Sequence, residues 1–206
     1  MSEGSSVTKA EIRARHRARR AATDPTQRDA VGAALATHGA AWAEQLTDGT
    51  PSTFCAYLGV APEPPTLALI SELHRRGHTV LLPVCEPGRQ LSWTHWSPGV
   101  EFVRSRYAPV LEPAGPRLGI GIMASVAALF IPATAVDRDG NRIGQGGGYY
   151  DVLLGSLAGD GLDIPFAAVV FDSEVLPAGS IPAEDFDRRV PAALTPSGLI
   201  RLPDPA

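Results

Sequence analysis

The stretch AALFIPATAVDRDGNRIGQGGGYYDVLLGSL, residues 127–157, decides the fold class. Residues 127–131 are a short, continuous apolar run, the pattern of a strand buried on both faces, as in a parallel sheet. Residues 137–148 are rich in glycine and polar side chains and read as a loop. Residues 149–157 read as a helix, and residues 166–171 as the next buried strand. Strand, loop, helix and strand in that order is the signature of a layered α/β unit. Working outward, the same alternation recurs. Thr8-Lys9-Ala10-Glu11 fits a capping box opening a helix over 9–22. Asp24 followed by Pro25 starts a second, to about Leu46, with Val31, Leu35, Trp42 and Leu46 as its apolar stripe. Residues 53–58 read as a buried strand, and a Pro-rich loop follows. Thr66 caps a helix over 67–76 that Gly77 closes. Residues 79–83 and 90–96 read as strands, 104–118 has no clear period, and 181–202 is loop with one or two short strands. The expected architecture is a single domain over 1–206, a three-layer α/β/α sandwich with a mostly parallel central sheet.

Composition narrows the class. The chain has 206 residues, 44% hydrophobic and 19% charged, which is globular rather than disordered. A chain of this size buries about 70% of its unfolded surface, enough for one sizeable core. A net charge of -4 and a pI near 5.7 argue against a dedicated nucleic-acid binder, which needs a basic footprint. Two cysteines, Cys55 and Cys85, exclude a disulfide scaffold and a four-cysteine zinc site. Both read as small buried hydrophobes in a reducing, cytoplasmic setting. Residues 1–20 lack the apolar core of a secretory signal. Residues 118–136 carry no charge and are long enough to raise a membrane question. Gly119, Gly121, Ser125 and Pro132 dilute them, so a buried turn, helix and strand is expected instead.

Chemistry concentrates in the glycine-rich segment from Asp137 to Asp151. Its glycines let backbone N–H groups converge on an anion, the following helix N-terminus adds a favourable dipole, and Arg142 can offer a charged fork to phosphate. The spacing is neither a Walker A loop nor a Rossmann fingerprint. A tight turn with no ligand is the competing reading. Lys9, Arg13, Arg17 and Arg20 recur at helical spacing, which ordinarily means a solvated basic face. Yet Lys9 is the only lysine among 18 Lys+Arg, and a lysine suits phosphate as a point charge. Glu63 follows the C-terminal end of a strand, where α/β folds bind ligands. An ordinary exposed loop glutamate is its alternative. Asp151 and Asp187 are a candidate magnesium pair; the alternatives are solvation and, for Asp151, a helix-dipole partner. The five histidines show no metal spacing, and no serine or cysteine nucleophile motif is present.

The segment Asp-Arg-Asp-Gly-Asn-Arg-Ile-Gly-Gln-Gly-Gly-Gly-Tyr-Tyr-Asp, 137–151, resembles the hallmark of the 5-formyltetrahydrofolate cyclo-ligase family, with Ile143 where leucine is usual. Further marks fall in family order: Lys9-x-x-x-Arg13, Glu63-Pro64-Pro65-Thr66, Leu111-Glu112-Pro113, Pro182-x-Glu184-x-x-Asp187 and Thr195-Pro196. The resemblance implies an ATP- and Mg²⁺-dependent ligase that closes 5-formyltetrahydrofolate to 5,10-methenyltetrahydrofolate. It implies ATP contacts from Lys9, Arg13, Arg142, Gly144, Gln145, Gly146, Gly147, Gly148, Tyr149 and Tyr150. Lys9, Arg142 and Tyr150 are then the catalytic set. Folate contacts are implied at Leu58, Glu63, Gln145, Gly147, Gly148 and Tyr149, and magnesium ligation at Asp151 and Asp187. A cytoplasmic monomer acting on small molecules, without nucleic acid or membrane, is the expected setting. Val84, Glu174 and Phe186 depart from residues common in relatives. Two rivals stay open: another small-molecule ATP-dependent enzyme such as a kinase, and a non-catalytic nucleotide- or folate-binding protein.

Overall fold

A computed structural model describes residues 7–184 and 187–203; Phe186 lies outside the described residues. In chain order the elements are α1 (Lys9–Ala21), α2 (Pro25–Thr47), β1 (Thr53–Cys55), α3 (Leu67–Arg75), β2 (Thr79–Cys85), β3 (Leu91–Trp96), β4 (Phe102–Arg104), β5 (Leu111–Pro113), β6 (Val126–Pro132), β7 (Ala135–Asp137), β8 (Arg142–Ile143), α4 (Tyr149–Gly159), β9 (Phe166–Val169), β10 (Val175–Leu176), β11 (Ala192–Thr195) and β12 (Gly198–Arg201). A seven-stranded sheet runs in the order β12-β11-β9-β6-β1-β2-β3. Its five inner strands are parallel, and an antiparallel strand closes each edge. This is the expected α/β fold with a mostly parallel sheet.

The sheet separates two cores. On one face α2 and α3 pack Leu35, Trp42, Leu69 and Ile70 onto Phe54 and Phe130. Trp42 meets Phe130 edge-on at 5.2 Å between ring centres, the arrangement aromatic pairs favour. Gly39 permits the close approach of α2 to α3, because a Cβ there would fall 2.6 Å from a Leu69 methyl carbon. On the other face α4 presents Leu153, Leu154 and Leu157 to Leu81, Leu129, Ile131 and Trp93. The crossovers turn in opposite senses. From β1 the chain passes through α3 to β2, and from β6 through α4 to β9. Neighbouring strands β1 and β6 therefore mark the switch point, where a crevice opens at the carboxyl ends.

Several local expectations change. The strand expected over 53–58 ends at Cys55, although Ala56 still donates to the Leu81 carbonyl at 3.0 Å. Thr66 does not cap α3 with its side chain. Its buried hydroxyl instead donates to the Tyr57 carbonyl and accepts from the Gly59 amide at 2.8 Å. Leu46 is exposed, not part of the buried stripe. The 104–118 region contributes a small hairpin, β4 with β5. Residues 118–136 form a 3₁₀ turn over Ile120–Ser125 and then β6. Among the described residues no helix is long and apolar enough to cross a membrane. The segment 137–148 is not one loop. Its first part is the turn of a β7–β8 ribbon, held by the buried Asp137 carboxylate, which accepts from the amides of Asp139, Asn141 and Ile181.

Candidate functional site

The crevice is a cavity of about 1060 Å³ at the carboxyl ends of β1, β2 and β6. It collects residues from most of the regions singled out in the sequence, though not Thr195-Pro196. Lys9 and Arg13 come from α1, Leu58 and Glu63 from the loop after β1, Arg142 from β8, Gly144 to Tyr150 from the glycine loop, and Asp151 and Asp187 from α4 and the tail. The cationic wall lies along α1 and the glycine loop. The apolar wall is made by Leu82, Leu91, Pro109, Val110 and Leu111.

α1 reaches this position because its first turn is fixed. Thr8 Oγ1 accepts from the Glu11 amide at 3.3 Å, and the Glu11 carboxylate accepts from the Thr8 amide at 2.8 Å, completing the expected capping box. Lys9 Nζ lies 2.5 Å from Asp187 Oδ2 and 3.2 Å from Glu184 Oε1. It is half-buried in this contact, not a loose surface charge. Burial pulls its pKa down, but the two carboxylates outweigh that and leave it raised. Arg13 Nε donates to the Gly144 carbonyl at 2.9 Å, so the helix also grips the glycine loop.

The glycine loop ends in α4, whose N-cap is Gly148 with φ 73°. That left-handed geometry favours glycine. Arg142 is buried and ion-paired with Asp151, while its Nε has no partner. Burial lowers its pKa against the opposing pull of Asp151 and Asp187, so both aspartates act on one guanidinium. Asp151 and Asp187 are oxygen donors on the cavity wall beside a helix N-terminus. Magnesium takes one or two carboxylates and completes its shell with phosphate and water, so this donor set fits it. Among the described residues no group of three or more His, Cys, Asp or Glu forms a metal cluster.

Glu63 stands across from the loop. Gln145 Nε2 donates to its Oε1 at 3.1 Å, and Arg28 donates to its backbone carbonyl at 2.8 Å. Burial pushes the Glu63 carboxyl up, with Arg20 pulling the other way. Tyr57, Tyr150 and Thr134 also line the cavity, and their buried hydroxyls have no partner within the protein. Polar groups left unpaired in a crevice are suited to a polar ligand.

Sequence reasoning missed Arg20, Tyr57, Arg28 and Thr134. Arg20 was grouped with the solvated basic face, yet it is buried and paired with Glu174. A signal existed. Ile12, His16 and Arg20 recur every four residues and form the buried face of α1. Val84, one of the departures, is a buried core residue of β2. Glu174, another, is the partner of Arg20.

Comparison with known proteins converges on one family. The sequence profile of the 5-formyltetrahydrofolate cyclo-ligase family matches residues 5–196. The chain is 36% identical to a 5-formyltetrahydrofolate cyclo-ligase of Mycolicibacterium smegmatis, over 73% of this chain and 77% of that protein. It is 29% identical to the Escherichia coli K12 protein of the same name, over 88% and 96%. The solved 5,10-methenyltetrahydrofolate synthetase of Aquifex aeolicus superposes with a TM-score of 0.70 at 22% identity, covering 96% of this chain and 94% of that one. At that identity the superposition speaks for the fold.

Proposed function

The chain belongs to the 5-formyltetrahydrofolate cyclo-ligase family, and from that premise we propose that it closes 5-formyltetrahydrofolate to 5,10-methenyltetrahydrofolate, converting ATP to ADP and phosphate with magnesium. It is a ligase by membership; ATP, the metal and the residue roles are our reading. One observation carries it. A single cavity faces Lys9, Arg13, Arg142 and the glycine loop on one wall, and Glu63, Leu58 and an apolar surface on another.

The chemistry suits these groups. A formamide oxygen is a poor leaving group. Attack of that oxygen on the γ-phosphorus forms an O–P bond and releases ADP, giving an iminium phosphate. The neighbouring folate nitrogen then adds to the formyl carbon and loses its proton, and phosphate departs with the C–O electron pair. Such transfers are catalysed mainly by positioning and charge neutralisation. Lys9 supplies a compact charge, Arg142 a fork, and the backbone of 144–148 an anion nest at the start of α4. Tyr150 offers a buried hydroxyl beside them. Asp151 and Asp187 would hold magnesium, which supplies charge neutralisation to the phosphates. Glu63 accepts N–H bonds from the pterin edge, Leu58 packs on the ring, and Gln145 and Tyr149 span both substrates. Every residue in this reading comes from one chain, so it needs no second copy, and we take the protein as a monomer. Two buried free thiols agree with a reducing cytoplasm.

The test mixes purified protein, ATP, Mg²⁺ and 5-formyltetrahydrofolate. The methenyl chromophore and ADP should appear in equal amounts. ADP without the chromophore would point instead to a kinase acting on another acceptor. Binding of both substrates without turnover would point to a non-catalytic sink.

A further inference from the structure

Both elements that face the phosphates in the proposed reading are anchored by one buried ion pair that the reaction chemistry does not use. Arg20, in the last turn of α1, is 4% exposed, and Glu174 is 1% exposed. The pair is two-pronged: Arg20 Nε lies 2.6 Å from Glu174 Oε1, and Arg20 Nη2 lies 2.8 Å from Oε2. The same Nη2 donates to the Ala133 carbonyl at 2.7 Å, just past the end of β6 at the switch point. The guanidinium sits over the Phe171 ring at 5.8 Å from its centre. Glu174 Oε2 accepts in addition from the Phe171 amide at 3.0 Å.

The network continues into the site. Glu174 immediately precedes β10, which pairs with β7, which pairs with β8. The Thr134 amide donates to the Ile143 carbonyl at 2.6 Å, tying the end of β6 to β8. Arg142 belongs to β8, and the glycine loop leaves from its end. At the other end of the ion pair, α1 carries Lys9 and Arg13, the latter bonded to Gly144. The ion pair thus joins the two parts of the cationic wall, α1 and the β8–glycine-loop segment. Apolar packing alone would hold α1 loosely, since only Ile12 enters the small core formed with Ala135, Ile143 and Ile181.

We propose that Arg20 and Glu174 are positioning residues that set the separation of Lys9 and Arg13 from Arg142 and the glycine loop. This rests on the reading that these groups receive ATP. A purely stabilising role fits less well, because buried ion pairs are often replaced by apolar residues without loss of stability. The two-pronged geometry fixes direction as well as distance.

The experiment measures steady-state kinetics with each substrate varied, folate affinity and thermal melting for four variants. Arg20→Lys keeps the charge but cannot reproduce the fork to Glu174 together with the Ala133 contact. It should fold, bind folate like the parent within about threefold, and lose about tenfold or more in kcat/KM for ATP, as misplacement of a positioned group does. Arg20→Met combined with Glu174→Leu should retain the parent melting temperature and lose about as much in kcat/KM for ATP. Glu174→Gln, which keeps one of the two acceptor oxygens, should recover only part of the kcat/KM for ATP lost in Glu174→Ala. Parent-like ATP kinetics in folded Arg20→Lys would overturn the inference and leave the proposed function standing. A parent protein that neither binds ATP nor forms the methenyl product would remove that function, and this inference with it.

Discussion

Glu63 shows how burial becomes a measurable pH effect. Its folded-state pKa is raised by burial, so folding favours the protonated acid. The resulting stability is full below the ordinary carboxylate range and is lost as pH rises through the folded value. Glu63→Gln keeps an oxygen for Gln145 and never ionises. Its melting temperature should therefore gain on the parent as pH rises from the ordinary carboxylate range toward neutrality. Its folate affinity should fall while ATP affinity holds. A parent–variant difference flat with pH would reject the argument, and unchanged folate affinity would reject the assignment. Lys9→Arg makes a second test. The Lys9 ammonium fits between Asp187 and Glu184, where a planar fork presents its charge differently. We expect about tenfold lower kcat/KM for ATP, measured at fixed folate. Lys9 was legible as the sole lysine of the chain. For Arg20 the four-residue spacing with Ile12 and His16 could have told its burial, but its partner Glu174, 154 positions away, is announced by no local pattern.

At the level of elements, boundaries depended on tertiary contacts. The order of strands and helices follows from apolar runs and caps, and α1 begins where its capping box requires. β1 stops at Cys55 because the loop after it turns toward the crevice, pinned by Thr66. Thr66→Val would strand the Tyr57 carbonyl and the Gly59 amide in the core. Unpaired buried groups cost about 1–3 kcal/mol each, so a loss of roughly 2–6 kcal/mol is expected on denaturant melting, with weaker folate binding as the Glu63 loop loosens. At the start of α4, Asp151 serves Arg142 and, in our reading, magnesium. Asp151→Asn and Asp187→Asn should each reduce turnover and raise the Mg²⁺ needed for half-maximal rate. Combining them should add little, because residues acting as a unit are non-additive. If Asp151 were only a dipole partner, Asp151→Asn would cost about 0.3–1 kcal/mol of stability and leave the metal requirement untouched.

Across the whole molecule, the parallel sheet was legible, but the strand order was not. The apolar run says that 127–131 is a buried strand; only the fold makes it the neighbour of β1. That adjacency has a kinetic consequence. β1, α3, β2 and β3 are contiguous in the chain, so their contacts close short loops at low entropic cost. β6, α4, β9, β11 and β12 form a second contiguous block. The seam between the blocks joins Phe54 to Ala128 across more than 70 positions of sequence, a closure that comes late. Ligands gripping both blocks would then make contacts absent from the folding transition state. Such contacts slow unfolding and leave the folding rate alone. ATP and folate together should therefore lengthen the lifetime of the folded chain against heat or protease without helping it to fold, so that an idle enzyme is the one most exposed to turnover.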